Sequence, residues 1–546
     1  MQILLRILCM FLLLASCTSK TQVDLIILGK VYTVDSAFSV TEAVAMKDGK
    51  IVATGTAAAL QQTYRAVETL DMKGRYVYPG FIDAHAHFYR YSLGLRELDL
   101  TGTTSWQEII QKIKDRIAEQ PLQQGEWLIG RGWDQNDWQV KQFPENTLLN
   151  ELLPDHPVLL TRVDGHAAIA NAKALEIGQV QANTKIVGGD ILINEGKPTG
   201  VLIDNAIDLV SSRIPPPSQK QVAEALLAAQ KNCFAAGLTT VDDCGLDYEQ
   251  VLQIEKLQDE GKLQMRLYIM LSDAPQNYAA IFKRGMIQKP LLHVRSFKVY
   301  ADGALGSRGA CLLHHYSDRP NYYGFLLREQ RHFDSVASII YAKGFQMCTH
   351  AIGDSANRSI LDIYGKYLPP SNDLRWRIEH AQVVSTDDIY KFGKYGIVPS
   401  VQPTHATSDM YWAGERLGKE REKTAYAFRQ LLEQNDWIPL GTDFPVEDID
   451  PLKTFYAAVF RKDAKGMPKE GYQTENALSR KQALQGMTLW AARANFEERA
   501  KGSLEKGKYA DLVILDQDLM EVNESQFSQT KVVATISNGK LVYRRP

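Results

Sequence analysis

The chain has 546 residues, of which 45% are hydrophobic and 23% charged, with a formal net charge of -2 at pH 7. These values suit a globular protein large enough for a barrel with accessory elements. They give no basic footprint for nucleic acid, and beyond the first residues no apolar run is long enough to cross a bilayer.

Residues 1–15 carry one charge, Arg6, ahead of the apolar segment 7–14. This is the pattern of a secretory h-region, too short for a stable span. It ends Leu14-Ala15-Ser16-Cys17, which resembles a bacterial lipobox. The resemblance implies cleavage before Cys17 and lipid attachment to it; a plain signal peptide or a membrane-embedded cysteine are the alternatives. Thr18, not Asp, follows the cysteine, so no inner-membrane retention signal is present. The expectation is an exported protein tethered by lipid alone to a bacterial membrane, the outer one, facing the periplasm. Of the other cysteines, Cys233, Cys244, Cys311 and Cys348 remain after processing, and none forms Cys-X-X-Cys. A cysteine zinc site is therefore not expected, and spacing leaves disulfide pairing open.

Residues 18–78 read as short strands, with a hairpin turn at Lys47-Asp48-Gly49-Lys50. The C-terminus has the same style, with Asn538-Gly539 as a two-residue hairpin signal. Neither end is large enough to bury a sheet alone, so residues 18–78 and 498–546 are expected to build one small β-sandwich. Between them apolar strands alternate with helical segments such as 221–236 and 333–343. Strand candidates fall at 78–83, 238–242, 265–271, 294–299, 345–349, 375–379, 397–401 and 437–442. Eight strands in this order predict a (β/α)8 TIM barrel over 79–497, whose chemistry sits at the strand C-termini. The gap between the first two strands is too long for a connection, so residues about 90–220 form an insertion, with Pro215-Pro216-Pro217 as the linker back.

The first barrel strand ends in His85-Ala86-His87. Residues i and i+2 of a strand share a face, so two imidazoles can hold one divalent metal. Alone this motif is weak. Later strand ends add Lys298, His350, His380 and Asp443, so four of the eleven histidines fall where a barrel places its chemistry.

This set resembles the amidohydrolase superfamily of metal-dependent hydrolases, most closely the amidohydrolase-3 subgroup that includes exported proteins similar to N-substituted formamide deformylase. The resemblance runs over nearly the whole mature chain, including the late segment Gly502-Ser503-Leu504-Glu505-Lys506-Gly507. It implies one metal on His85, His87 and Asp443 and a second on His350 and His380, zinc suiting a donor set without thiolate. A protonated lysine between two dications would be repelled. The family's solution is a carbamate made from the neutral amine and CO2, so Lys298 is expected to be carboxylated and to bridge the ions; an ordinary ion pair with a single metal is the alternative. Asp443 is expected to act as ligand and general base, rather than only as a helix cap after the last strand. His350 otherwise reads as a core histidine.

A second circle of candidates would touch substrate: His405 after the seventh strand, Asp302 and Arg308 on the glycine-rich loop after Lys298, and Trp133, Asp134 and His166 from the insertion. Loop-stabilising hydrogen bonds or packed aromatics are their bland alternatives. The expected function is hydrolysis of a non-peptide carbon–nitrogen bond in a small molecule, an amide or substituted formamide. Lactone or phosphoester hydrolysis and ring deamination use the same kind of site, and a ligand-binding lipoprotein without catalysis is the third possibility. Homo-oligomer formation is left open.

Overall fold

The computed structural model describes residues 20–135, 138–162, 165, 167–186, 189–204, 206–306 and 308–546. Cys17, the expected lipid attachment point, and His166 lie outside them. The chain divides into two compact units: residues up to Tyr89 together with Gln230–Pro546, and Arg90–Ala229.

In the first unit both ends of the chain build one seven-stranded sheet. Its order is Lys540–Arg544, Val532–Ser537, Leu512–Leu515, Tyr64–Pro79, Thr21–Tyr32, Val40–Lys47, Lys50–Gly55. The two hairpins read from sequence take left-handed backbone at both turn residues: φ is 51° and 72° at Asp48 and Gly49, and 53° and 72° at Asn538 and Gly539. That geometry matches the twist of the flanking strands. Val44, Met46 and Ile51 from one end of the sheet share a buried cluster with Ala534 and Ile536 from the other. The sheet is therefore folded over on its own core.

The same unit holds the barrel. Its strands are β1 (Phe81–Ala86), β2 (Leu238–Leu246), β3 (Arg266–Ser272), β4 (Leu292–Tyr300), β5 (Gln346–Ala351), β6 (Arg377–His380) and β7 (Val398–Ser400). Each pairs in parallel with the next. Helices cross between them, among them Gln219–Ala235 after the insertion and Gln330–Ala342 before β5. The result is a TIM-like barrel.

The eighth stave departs from expectation. Residues 437–442 form no regular strand, only a parallel bridge between Val401 and Leu440. Pro439 has no N–H to give a ladder. Gly441 lies so close to β1 that an added Cβ would stand 2.5 Å from the His85 nitrogen. The segment still closes the barrel. Val401 donates to the Pro439 carbonyl (3.2 Å), Ala84 to the Leu440 carbonyl (3.2 Å), and Asp443 to the His85 carbonyl (2.7 Å).

The second unit is a six-stranded sheet in the order Gly189–Asn194, Lys197–Asp204, Ala167–Ala170, Val158–Arg162, Leu128–Trp133, Leu98–Asp99. Helix Trp106–Glu119 opens on Ser105, whose hydroxyl accepts from the Glu108 N–H. It packs Ile109, Ile110 and Ile113 into this unit's core, spacing that puts all three on one face.

Candidate metal centre

The end of β1 delivers two imidazoles in different settings. His85 is fully buried; its Nδ1 lies 2.5 Å from Glu379 Oε2 on β6, and its Nε2 lies 3.1 Å from Lys298 Nζ and 3.7 Å from Asp443 Oδ1. His87 turns Nδ1 to the Cys244 carbonyl at 3.0 Å and Nε2 to Asp443 Oδ1 at 3.2 Å. Both rings thus spend Nδ1 on a protein acceptor, which leaves Nε2 as the ligand nitrogen. His380 ends β6, and its ring centroid lies 4.8 Å from that of His85, 4.6 Å from His350 and 5.9 Å from His405. His405, on the helix Pro403–Asp409, places Nε2 3.1 Å from Asp443 Oδ2.

The backbone is strained where these groups converge. His380 has φ 74° and Asp443 φ 66°, a left-handed region that residues with a Cβ seldom occupy. Asp443 is held there by its bond to the His85 carbonyl. Beneath it Asp83 clips the barrel shut: Oδ1 accepts from the Thr442 N–H (2.9 Å) and the His85 N–H (3.2 Å), and Oδ2 from the Thr442 hydroxyl (2.6 Å). Burial nonetheless pushes Asp83 up to about 7.

Charge states suit a cation. Burial first, then the Lys298 charge, lowers His85 to about 4 and His350 to about 3, and burial holds His380 well below its ordinary value. Burial works against the Asp443 charge, yet His405 and His87 beside it keep the carboxylate well below its usual range. His405 moves the other way, up to about 9, because the Asp443 bond and charge outweigh its burial. Neutral imidazoles and an ionised carboxylate are the states a metal requires.

Whether the residues fit such an ion can be tested on their unsatisfied atoms. His350 Nε2, His380 Nδ1 and Asp443 Oδ1 are buried with no hydrogen-bond partner. Each such atom costs about 1–3 kcal/mol unless something else takes it up. Among the described residues, the donor atoms of His85, His87 and Asp443, and those of His380, His405 and Asp443, lie within 4.8 Å of one another. The set fits a divalent metal. His350 joins through its ring contact with His380, and His405 stands closer to the ligand cluster than a peripheral substrate contact would.

The other expected residues are more scattered. Lys298 is 1% exposed and belongs to the cluster. Asp302 spends its carboxylate on the N–H groups of Cys311 (2.8 Å), Ile352 (3.0 Å) and Gly353 (2.8 Å), tying the loop after β4 to the loop after β5. Arg308 makes a two-pronged pair with Asp318. Trp133 is fully buried in the core of the second unit and donates its indole N–H to the Leu160 carbonyl (2.8 Å), a packing role; Asp134 there pairs with Arg162. Sequence reasoning missed Glu379 and Arg377. Two charges at alternate positions of a short barrel strand were the available signal, since alternate residues point to one face.

A parallel barrel whose strand ends bring histidines and an aspartate around a divalent-cation site defines a metal-dependent hydrolase. The amidohydrolase family profile matches residues 68–543, and the chain belongs to that family. A protein named LONG AFTER FAR-RED 3 from Arabidopsis thaliana is 33% identical over 533 residues, covering 94% of this chain and 90% of that one. The N-substituted formamide deformylase of Arthrobacter pascens is 26% identical over 542 residues, covering 95% and 98%. Among solved structures, an uncharacterized metal-dependent hydrolase from Pyrococcus furiosus superposes with a TM-score of 0.76 at 26% identity, covering 91% of this chain and all of that one. A second, from Pyrococcus horikoshii, gives 0.76 at 28%, covering 92% and 99%.

Proposed function

We propose that the protein hydrolyses a non-peptide carbon–nitrogen bond, in an amide or N-substituted formamide, with Asp443 as general base and then general acid. The observation that carries this reading is the position of Asp443, a buried carboxylate with one oxygen against His87 at 3.2 Å and the other against His405 at 3.1 Å. The formamide deformylase of Arthrobacter pascens, similar along almost its whole length, supports the bond class.

A divalent metal bound here, with zinc the reading the imidazole–carboxylate set favours, supplies Lewis acidity and a water acidic enough to deprotonate near neutral pH. Asp443 would take a proton from the attacking water and return it to the leaving nitrogen. His405 holds Asp443 Oδ2 at 3.1 Å and so fixes how the carboxylate is turned toward His85 and His87. His85 and His87 are oriented by Glu379 and by the Cys244 carbonyl. Lys298 is the residue that makes two ions workable. As an ammonium, 3.1 Å from His85 Nε2, it would repel any cation on that nitrogen. As a neutral amine it adds CO2 and releases a proton, and the carbamate is an anion with two oxygens to share. His85, His87 and Asp443 would hold one ion and His350 and His380 a second, and Lys298, once carboxylated, would supply the negative charge that lets both stay.

The test is metal analysis of the purified protein beside a screen of amides, substituted formamides, lactones, phosphoesters and ring amines. Turnover confined to amides or formamides is expected. Turnover confined to lactones, phosphoesters or ring deamination replaces the bond class, and a protein without bound metal removes the mechanism. Lipid anchoring through Cys17 belongs to the same proposal only as location: an exported enzyme tethered to a bacterial membrane, the outer one, facing the periplasm.

A further inference from the structure

A cavity of about 600 Å³ opens on the far side of the helix that carries His405. Thr404, Thr407 and Ser408 of that helix line it, and His405 does not. Positions i, i+3 and i+4 of a helix share one face, so the helix divides the cavity from the metal cluster. Helix Pro451–Phe460 and the segments 462–466 and 524–531 supply the other walls. The volume falls within the range of roughly 300–1,000 Å³ typical of small-molecule sites.

The floor is apolar and aromatic. Leu452 and Phe527 are buried, and the half-buried Tyr456 ring lies 5.3 Å, centroid to centroid, from that of Phe527. Leu452 and Tyr456 are four residues apart on their helix and so lie side by side. Around this floor the negative charges are all engaged. Glu447 accepts from the Ser408 hydroxyl (2.7 Å), Asp448 from Lys453 Nζ (2.5 Å) and Asp450 from the Leu452 N–H (2.9 Å). Asp463 accepts from the Tyr411 hydroxyl (2.5 Å) and Glu524 from Lys462 Nζ (2.6 Å).

The positive charges are not. Lys465 and Lys531 also line the cavity, and their ammonium groups have no ion-pair or hydrogen-bond partner among the described residues. Two hydroxyls are left over as well. Thr404 Oγ1 and Thr530 Oγ1 are buried without a hydrogen-bond partner, on residues 9% and 4% exposed. Such atoms cost free energy until a ligand or water takes them up. Every unengaged polar group in the lining is thus a donor, and two of them are cations. The complement is an anionic acceptor joined to a flat apolar body.

We infer that this cavity is a second ligand site, for a small aromatic carboxylate. Its ring lies over Tyr456 and Leu452, and its carboxylate faces Lys465 and Lys531. The site stands apart from the metal-hydrolase reading, because neither the ring nor the carboxylate needs a metal there.

The experiment compares 2-naphthoate with its neutral counterpart 2-naphthylmethanol, each binding to the full chain by calorimetry. Every titration is run on zinc-loaded and on metal-free protein, because a carboxylate also ligates zinc. Naphthoate is expected to bind equally well in both forms and about tenfold more tightly than the alcohol, the scale of two exposed ion pairs. Lys465→Met/Lys531→Met, at exposed positions, should bring the two probes to near parity without changing the alcohol's affinity or the thermal midpoint. Tyr456→Ala should weaken both probes together. Absence of naphthoate binding at millimolar concentration overturns the inference. Binding that requires zinc also overturns it, by moving the acid to the metal centre, as does a preference for the anion that survives the double lysine variant. A chain that takes up no zinc removes the metal reading alone, since the metal-free titrations still decide this one.

Discussion

Glu379→Gln is the substitution whose consequences the geometry defines best. Glu379 is fully buried, with Oε2 2.5 Å from His85 Nδ1 and Oε1 2.7 Å from Arg377 Nε. Burial opposes its charge, yet Arg377 first and His85 next hold it far below the ordinary carboxylate range. The variant keeps shape and removes that charge. Arg377, itself buried, retains Asp242 at 3.0 Å, the Ser400 hydroxyl at 3.1 Å and the Ala84 carbonyl. Breaking a buried pair costs about 3–5 kcal/mol when the survivor is stranded. With Asp242 still in place the lower end, about 3 kcal/mol, is expected. The larger effect falls on the metal, because a carboxylate behind a ligand histidine fixes its tautomer and raises its basicity, and losing one weakens affinity by about 10–100-fold. Zinc affinity from chelator competition at pH 7 and the thermal midpoint of the metal-free protein separate the two effects. Glu379→Asp, which keeps the charge on a shorter arm, should recover stability more than affinity. Zinc affinity within threefold of wild type in Glu379→Gln would refute the claim that this carboxylate orients His85.

Asp443→Asn should lower kcat by about 10²–10⁴-fold with folding intact by circular dichroism; near-normal turnover removes Asp443 as base. Lys298→Ala should lose metal by elemental analysis and regain part of it with short carboxylic acids, whereas full occupancy without them rules out the carbamate. Cys17→Ala should move the protein from the membrane fraction to the soluble one, and continued membrane association contradicts lipid attachment. Acid should act through Glu497, whose Oε2 pairs with Lys501 at 2.6 Å. Burial opposes its charge, but Lys501 brings it down to about 2 from an ordinary 4.5. A depressed folded value means stability that is present above about pH 4.5 and lost as pH falls toward 2. The urea midpoint should therefore drop less between pH 6 and pH 3 in Glu497→Gln than in wild type; equal drops would show that the pair is not part of the acid response.

Local patterns were legible in the sequence. Apolar runs located seven barrel strands, three of them with histidine at the end, and Asp48-Gly49 and Asn538-Gly539 located two hairpins, because strand period and turn chemistry act between neighbours in sequence. The eighth stave was located but not its form, since Pro439 and the tight approach of Gly441 to His85 replace a ladder with single bonds. Glu379 could not be assigned its partner from sequence, because His85 lies 294 positions away. Asp302 looked like a substrate contact for the same reason: the amides it serves belong to 311, 352 and 353, which only the fold brings to it. Trp133 and Asp134 depended on the fold of the insertion, which follows no pattern readable beforehand.

The sheet shared by the two ends also sets a timetable for biosynthesis. Tyr76–Pro79 pairs with Leu512–Leu515, so the edge of that strand has no partner until more than 430 further residues have been made. At roughly 5–20 residues per second the wait is on the order of 20–90 s. Through that interval an early strand offers open N–H and C=O groups to any neighbouring chain. A nascent or truncated product that stops short of Leu512 therefore carries a sticky edge, whatever the state of its barrel.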